Sequence, residues 1–129
     1  MIITIQKDIK EKDVQNLLCN AFEGGSNYWY SIVKQIKPKT FIYRTDHEQI
    51  FPHLDYPINP TGFLIIKDNL AEPGERQLYS LSPKVLLNGL QIMAKDYPNH
   101  FNDFITEQDD ATTGDVFLQC CLFKKVIYG

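Results

Sequence analysis

Two short stretches, far apart in the chain, hold the residues best suited to chemistry. The first, Ala21-Phe22-Glu23-Gly24-Gly25-Ser26-Asn27-Tyr28-Trp29-Tyr30, contains the single tryptophan, the Gly-Gly pair and three consecutive aromatics. The second is Asp115 and Gln119, polar residues four apart on an otherwise apolar segment and so on one face of a helix. Glycines allow a ligand to approach the backbone closely. Tyrosine and tryptophan offer flat faces with polar tips. Parts of this kind could bind a small, planar, charged molecule. The candidate ligand-binding set is Glu23, Gly24, Gly25, Asn27, Tyr28, Trp29, Tyr30, Arg76, Asp115 and Gln119. Arg76 enters because a guanidinium holds phosphate or carboxylate in a bidentate grip. Each member also has a plainer reading: Trp29 as core, Glu23 as a solvated helix-end carboxylate, Asp115 and Gln119 as structural hydrogen-bonding groups, Arg76 as a surface charge. Glu23 or Asp115 acting as a general acid or base is the enzymatic alternative.

Other chemistries have less support. His47, His53 and His100 lack the i, i+4 partner of a helical metal site, so neither metal nor cofactor is expected. Nucleophile-elbow, P-loop and dinucleotide fingerprints do not occur. Cys19, Cys120 and Cys121 have no C-x-x-C spacing and read as free thiols. The 129 residues carry a net charge of −3 with 43% hydrophobic residues, an ordinary globular balance. That charge argues against general nucleic-acid binding. Lys34, Lys37, Lys39 and Arg44 read as a solvated face. No apolar run approaches a membrane span and the start lacks a signal-peptide pattern, so a cytoplasmic setting is expected.

The elements that must position these residues follow from periodicity. Residues 2–6 read as a short strand. Val14, Leu17, Leu18, Ala21 and Phe22 form one apolar face of a helix over 10–23, started by Asp8/Glu11 or by Asp13. Gly24-Gly25 is expected to stop it in the left-handed conformation. Residues 28–36 favour a strand, a helix from Asn27 being the alternative. Further strands are expected at 40–44, 62–67 and 76–81, the last two as a hairpin. Between them, 45–61 reads as irregular, with one helical turn near His47–Phe51. Ser82-Pro83 starts a helix ended by Asp96-Tyr97-Pro98, and a short helix follows at 99–106. A final helix from Asp109-Asp110 or Thr113 is apolar nearly all round, as in a core or a subunit interface. The expected fold is α+β: a single domain, 1–129, with a small antiparallel sheet of three to five strands and about three helices.

The segment Ala21-Phe22-Glu23-Gly24-Gly25-x-x-Tyr28-Trp29 combines with Asp115, Gln119, Phe123 and Tyr128-Gly129. In this pairing the chain resembles, over its whole length, a family of small proteins encoded by bacteriophages and prophages. Family members often have Phe-Gly where this chain has Phe123-Lys124. The resemblance implies a setting rather than an activity: an accessory binding protein in the bacterial host cytoplasm that counteracts host immunity. One form would sequester a nucleotide-type signalling molecule as a homo-oligomer, with Tyr28, Trp29 or Tyr30 stacking and Asn27, Gln119 and an arginine supplying polar contacts. The alternatives are a protein inhibitor of a host defence protein, a small enzyme and a virion component.

Overall fold

Burial alternates along Phe63–Asp68 (β2), the middle strand of the sheet. Leu64, Ile66 and Asp68 are buried, and the residues between them are half-exposed. The structure, a computed structural model, describes residues 1–3, 6–43 and 49–129. Strands Tyr30–Ile36 (β1) and Leu78–Leu81 (β3) flank β2, both antiparallel to it. Ile66 faces Ile32 on one side and Tyr79 on the other. A bulge between Ile32 and Lys34 breaks the β1 ladder. The chain forms the expected α+β class with a small antiparallel sheet. Among the described residues the sheet has three strands, the lower bound of the three to five expected, and there are five α-helices where about three were expected.

Helices Glu11–Asn20 (α1), Pro83–Asp96 (α3) and Ala111–Phe123 (α5) build the core with the sheet, and Pro52–Asp55 (α2) and Pro98–Ile105 (α4) are short additions. Helix α5 is buried from Thr113 through Leu122, as its all-round apolar character requires. Asp110 caps it by accepting a hydrogen bond from Thr113 N at 3.0 Å. Gly114 lets α5 lie against the end of α1: a Cβ there would stand 2.6 Å from Ala21 N and 2.7 Å from Asn20 Cβ. Trp29, Leu17, Leu64, Ile66, Leu81 and Phe117, each fully buried, belong to one contiguous core.

Several local expectations are corrected. Helix α1 starts at Glu11 with Lys10, not Asp8 or Asp13, at its N-cap; Asp13, in the first turn, accepts from Lys10 N at 3.2 Å. Gly24 and Gly25 do not stop the helix in the left-handed conformation, which among the glycines only Gly74 and Gly129 adopt. The chain instead widens into a π-helical turn, Ala21–Gly25, closed by Ser26 N donating to Ala21 O at 2.9 Å. Residues 1–3 and 6 are not strand, and Thr4 and Ile5 of the expected first strand lie outside the described residues. Residues 40–43 are also irregular; Arg44 lies outside. Asn59 explains this: its Oδ1 accepts from both Ile42 N and Tyr43 N at 2.8 Å, so those amides serve no ladder. The turn expected near His47–Phe51 falls partly on His47 and Glu48, which are outside; the turn described is α2, opening on Pro52.

Candidate functional site

The two sequence stretches meet at Asp115. On the buried face of α5 its carboxylate accepts four hydrogen bonds. Ser26 Oγ (2.8 Å) and Trp29 Nε1 (2.7 Å) donate to Oδ1. Tyr28 OH (2.7 Å) and Gln119 Nε2 (3.1 Å) donate to Oδ2. Four donors fill the acceptor sites of an ionised carboxylate. Gln119 spends the rest of its amide on the chain terminus: Oε1 accepts from Ile127 N (2.8 Å) and Tyr128 N (3.0 Å), and Nε2 donates to Tyr128 O (3.2 Å). A side chain here replaces a neighbouring strand. Tyr128 OH in turn donates to Asp68 on β2 at 2.7 Å, tying the terminus to the sheet.

Trp29 is core, not a stacking platform. It is 0% exposed, with ring centroids of Phe123 and Tyr128 5.0 and 5.9 Å away. Its neighbours Tyr28, Asp115 and Gln119 are engaged in the network, and Tyr30 OH donates to Phe22 O. Gly25 permits the contact: a Cβ there would lie 1.9 Å from Ala111 O at the start of α5. Ser26, Tyr128 and Asp68 complete the network and were missed from the sequence. Ser26 lies within the first stretch and Tyr128 in the Tyr128-Gly129 ending that accompanies Asp115 and Gln119 in the resemblance, so position was the available signal.

Glu23, Asn27 and Arg76 stand apart from this network. Asn27 is exposed. Arg76 lies over the Tyr79 ring, 4.3 Å from its centroid, and its Nε donates to Leu78 O. Glu23 is on the surface, accepting from Cys19 Sγ at 2.9 Å, with His53 Nε2 at 3.4 Å. These two contacts, that of Cys19 first, hold the Glu23 carboxyl below its ordinary range, the opposite of what a general acid or base needs at neutral pH. Burial, then Glu23, pushes the Cys19 thiol up to about 11, so it stays protonated and a poor nucleophile.

Tyrosine titration gives the network a pH signature. Burial, then the bond to Asp115, pushes Tyr28 from 10.0 up to about 12. Burial likewise raises Tyr30, and burial with Asp68 raises Tyr128. A phenol whose value is higher folded than unfolded contributes stability that is complete below pH 10 and is lost as pH rises through about 12. Urea midpoints are therefore expected to fall across this window, and the fall should be shallower in Tyr28→Phe. Identical alkaline limbs in the two proteins would remove Tyr28 from the linkage.

A groove of about 510 Å³ opens elsewhere, between the N-terminal end of α1, Tyr43, α3 and Phe101 of α4. Ile9, Val14, Ile58, Leu87 and Leu90 make its walls apolar, with Lys7, Glu11 and Gln91 adding polar groups. None of the sequence-predicted site residues lines it. Its signal in the sequence was faint: Leu87 and Ala94, seven apart, form a second apolar row on α3 that the core does not use, Leu87 being 56% exposed.

Comparison with protein-family models, curated proteins and solved structures finds no match to this chain. Among the described residues there is neither a metal-holding cluster of His, Cys, Asp and Glu nor a helix long and apolar enough to cross a membrane.

Proposed function

We propose that the chain is a phage-encoded accessory binding protein acting in the host cytoplasm, and that it sequesters a small nucleotide-type molecule in the α1–α3 groove rather than between the terminal motifs. The observation that carries this reading is the lining of the groove. Aromatic rings (Tyr43, Phe101), aliphatic walls and one ammonium group (Lys7) line a single space of about 510 Å³. Small-molecule sites are apolar clefts of roughly 300–1,000 Å³ with a few placed polar groups. A base would lie against the rings, Lys7 would meet a phosphate, and Gln91 and Glu11 would hydrogen-bond to base or ribose. The Asp115 network supports the same division of labour: its donors and acceptors are engaged with one another, which suits a lock holding the fold.

Isothermal calorimetry against mononucleotides, cyclic dinucleotides and ADP-ribose tests this. At least one class is expected to bind, with affinity about tenfold weaker in Lys7→Glu and in Leu87→Glu. Both positions are exposed, so the fold should be retained. Absence of heat from every class, or unchanged affinity in both variants, overturns the reading.

A further inference from the structure

Among the described residues the helices cover one face of the sheet and do not cover the other, whose Ile36, Phe63 and Ile65 are half-buried. Leu64, Ile66 and Leu81 point into the core, whereas Phe63, Ile65 and Ile36 belong neither to it nor to the side chains packed around it. The register places these three on the outer face: Ile36 pairs with Phe63 and Lys34 with Ile65. Lys67 pairs with Leu78, which is 52% exposed. The face therefore carries Ile36, Phe63, Ile65 and Leu78 together with Lys34, Lys67, Ser31 and Ser80. Its paired positions on the three strands include no Asp or Glu. Neither lysine belongs to an ion pair among the described residues. In a chain of net charge −3 this is a local reversal of sign.

We propose that this outer face binds an acidic, apolar segment of a second protein, with Asp or Glu side chains meeting Lys34 and Lys67 and aliphatic side chains covering Ile36, Phe63, Ile65 and Leu78. Charge complementarity selects this occupant. A second copy fits poorly, because two-fold packing of the face on itself sets a cationic strip against a cationic strip. Single-stranded nucleic acid fits poorly too, since the strip offers one aromatic ring, Phe63, and no arginine. The bulge after Ile32 interrupts the β1 edge, which favours docking on the face over strand addition. The surface is distinct from the groove and stands independently of the reading proposed for it.

The probe is a synthetic peptide of alternating leucine and glutamate, titrated into isotopically labelled full-length protein and followed by amide chemical shifts. Shifts are expected to cluster on Lys34, Ile36, Phe63, Ile65 and Lys67. Lys34→Glu/Lys67→Glu should weaken binding about tenfold, as two partly exposed ion pairs would. The same variant should gain affinity for a leucine–lysine peptide. Shifts located elsewhere, equal binding by the charge-reversed variant, tighter binding of an oligothymidylate to this face, or a wild-type dimer in sedimentation that the variant loses would each overturn the proposal.

Discussion

Asp115→Ala is expected to destabilise the protein by about 4 kcal/mol and to lower the thermal midpoint by about 15 °C. The reason is the number of donors left behind. Trp29 Nε1 is wholly enclosed and has no other acceptor among the described residues, so it bears its full desolvation cost. Ser26 Oγ, fully buried, is stranded beside it. Tyr28 is 49% exposed, so its hydroxyl can turn to water and contributes less. Gln119 keeps its bonds to residues 127 and 128 but loses the group that orients its Nε2. Asp115→Asn should fall between wild type and Ala, since one oxygen still accepts while the new NH₂ faces donors. Trp29 is the only tryptophan, so its emission reports the site directly. A midpoint within about 4 °C of wild type in Asp115→Ala would show that the carboxylate holds nothing together.

Such a result bears on how legible the site was. Polar Asp115 and Gln119 on an all-apolar helix can be buried only if something satisfies them, so the sequence announced that partners existed. That the first stretch supplies them does not follow from local pattern, because the contacts span 86 to 91 residues. The hairpin of β2 and β3 and the helix opened by Pro83 were readable because a short run of strand-forming residues, turn residues and a proline at the first helical position act locally. Residues 40–43 were not. Their strand-like composition yields to Asn59, whose side chain takes the amides a ladder would use. The groove was unreadable for a related reason: α1, α3, α4 and Tyr43 each give it a few residues, and no single period records the assembly. Lys124 is instructive in the other direction. It takes a left-handed conformation (φ 66°) at the end of α5, a helix-end position that favours glycine.

Gly24 and Gly25 look equivalent in the sequence and are expected to behave oppositely. Neither has a positive φ, so neither is required for its backbone conformation. A Cβ at Gly24 would meet only Ala111 Cβ, at 3.7 Å, an ordinary contact. Gly24→Ala should be neutral or stabilise by up to about 1 kcal/mol, because alanine loses less chain entropy on folding. At Gly25 the new Cβ would lie 1.9 Å from Ala111 O and 2.7 Å from Ala111 C. Both are backbone atoms and cannot swing aside. Relief requires the start of α5 to move, and Asp115, one turn further on, is fixed to residues 26, 28 and 29 by its hydrogen bonds. Gly25→Ala should therefore cost about 3 kcal/mol or more, at the upper end of overpacking penalties. Ala111→Gly should not rescue it, since the clash is with the main chain and not with the Ala111 methyl group. Urea unfolding of the three variants decides the matter: similar losses at positions 24 and 25, or recovery in the double variant, would mean that close packing of the turn on α5 is not what Gly25 provides. If the two glycines do separate, the role of Gly25 is to let α5 reach the loop that carries Trp29, and ligand approach is not needed to account for it.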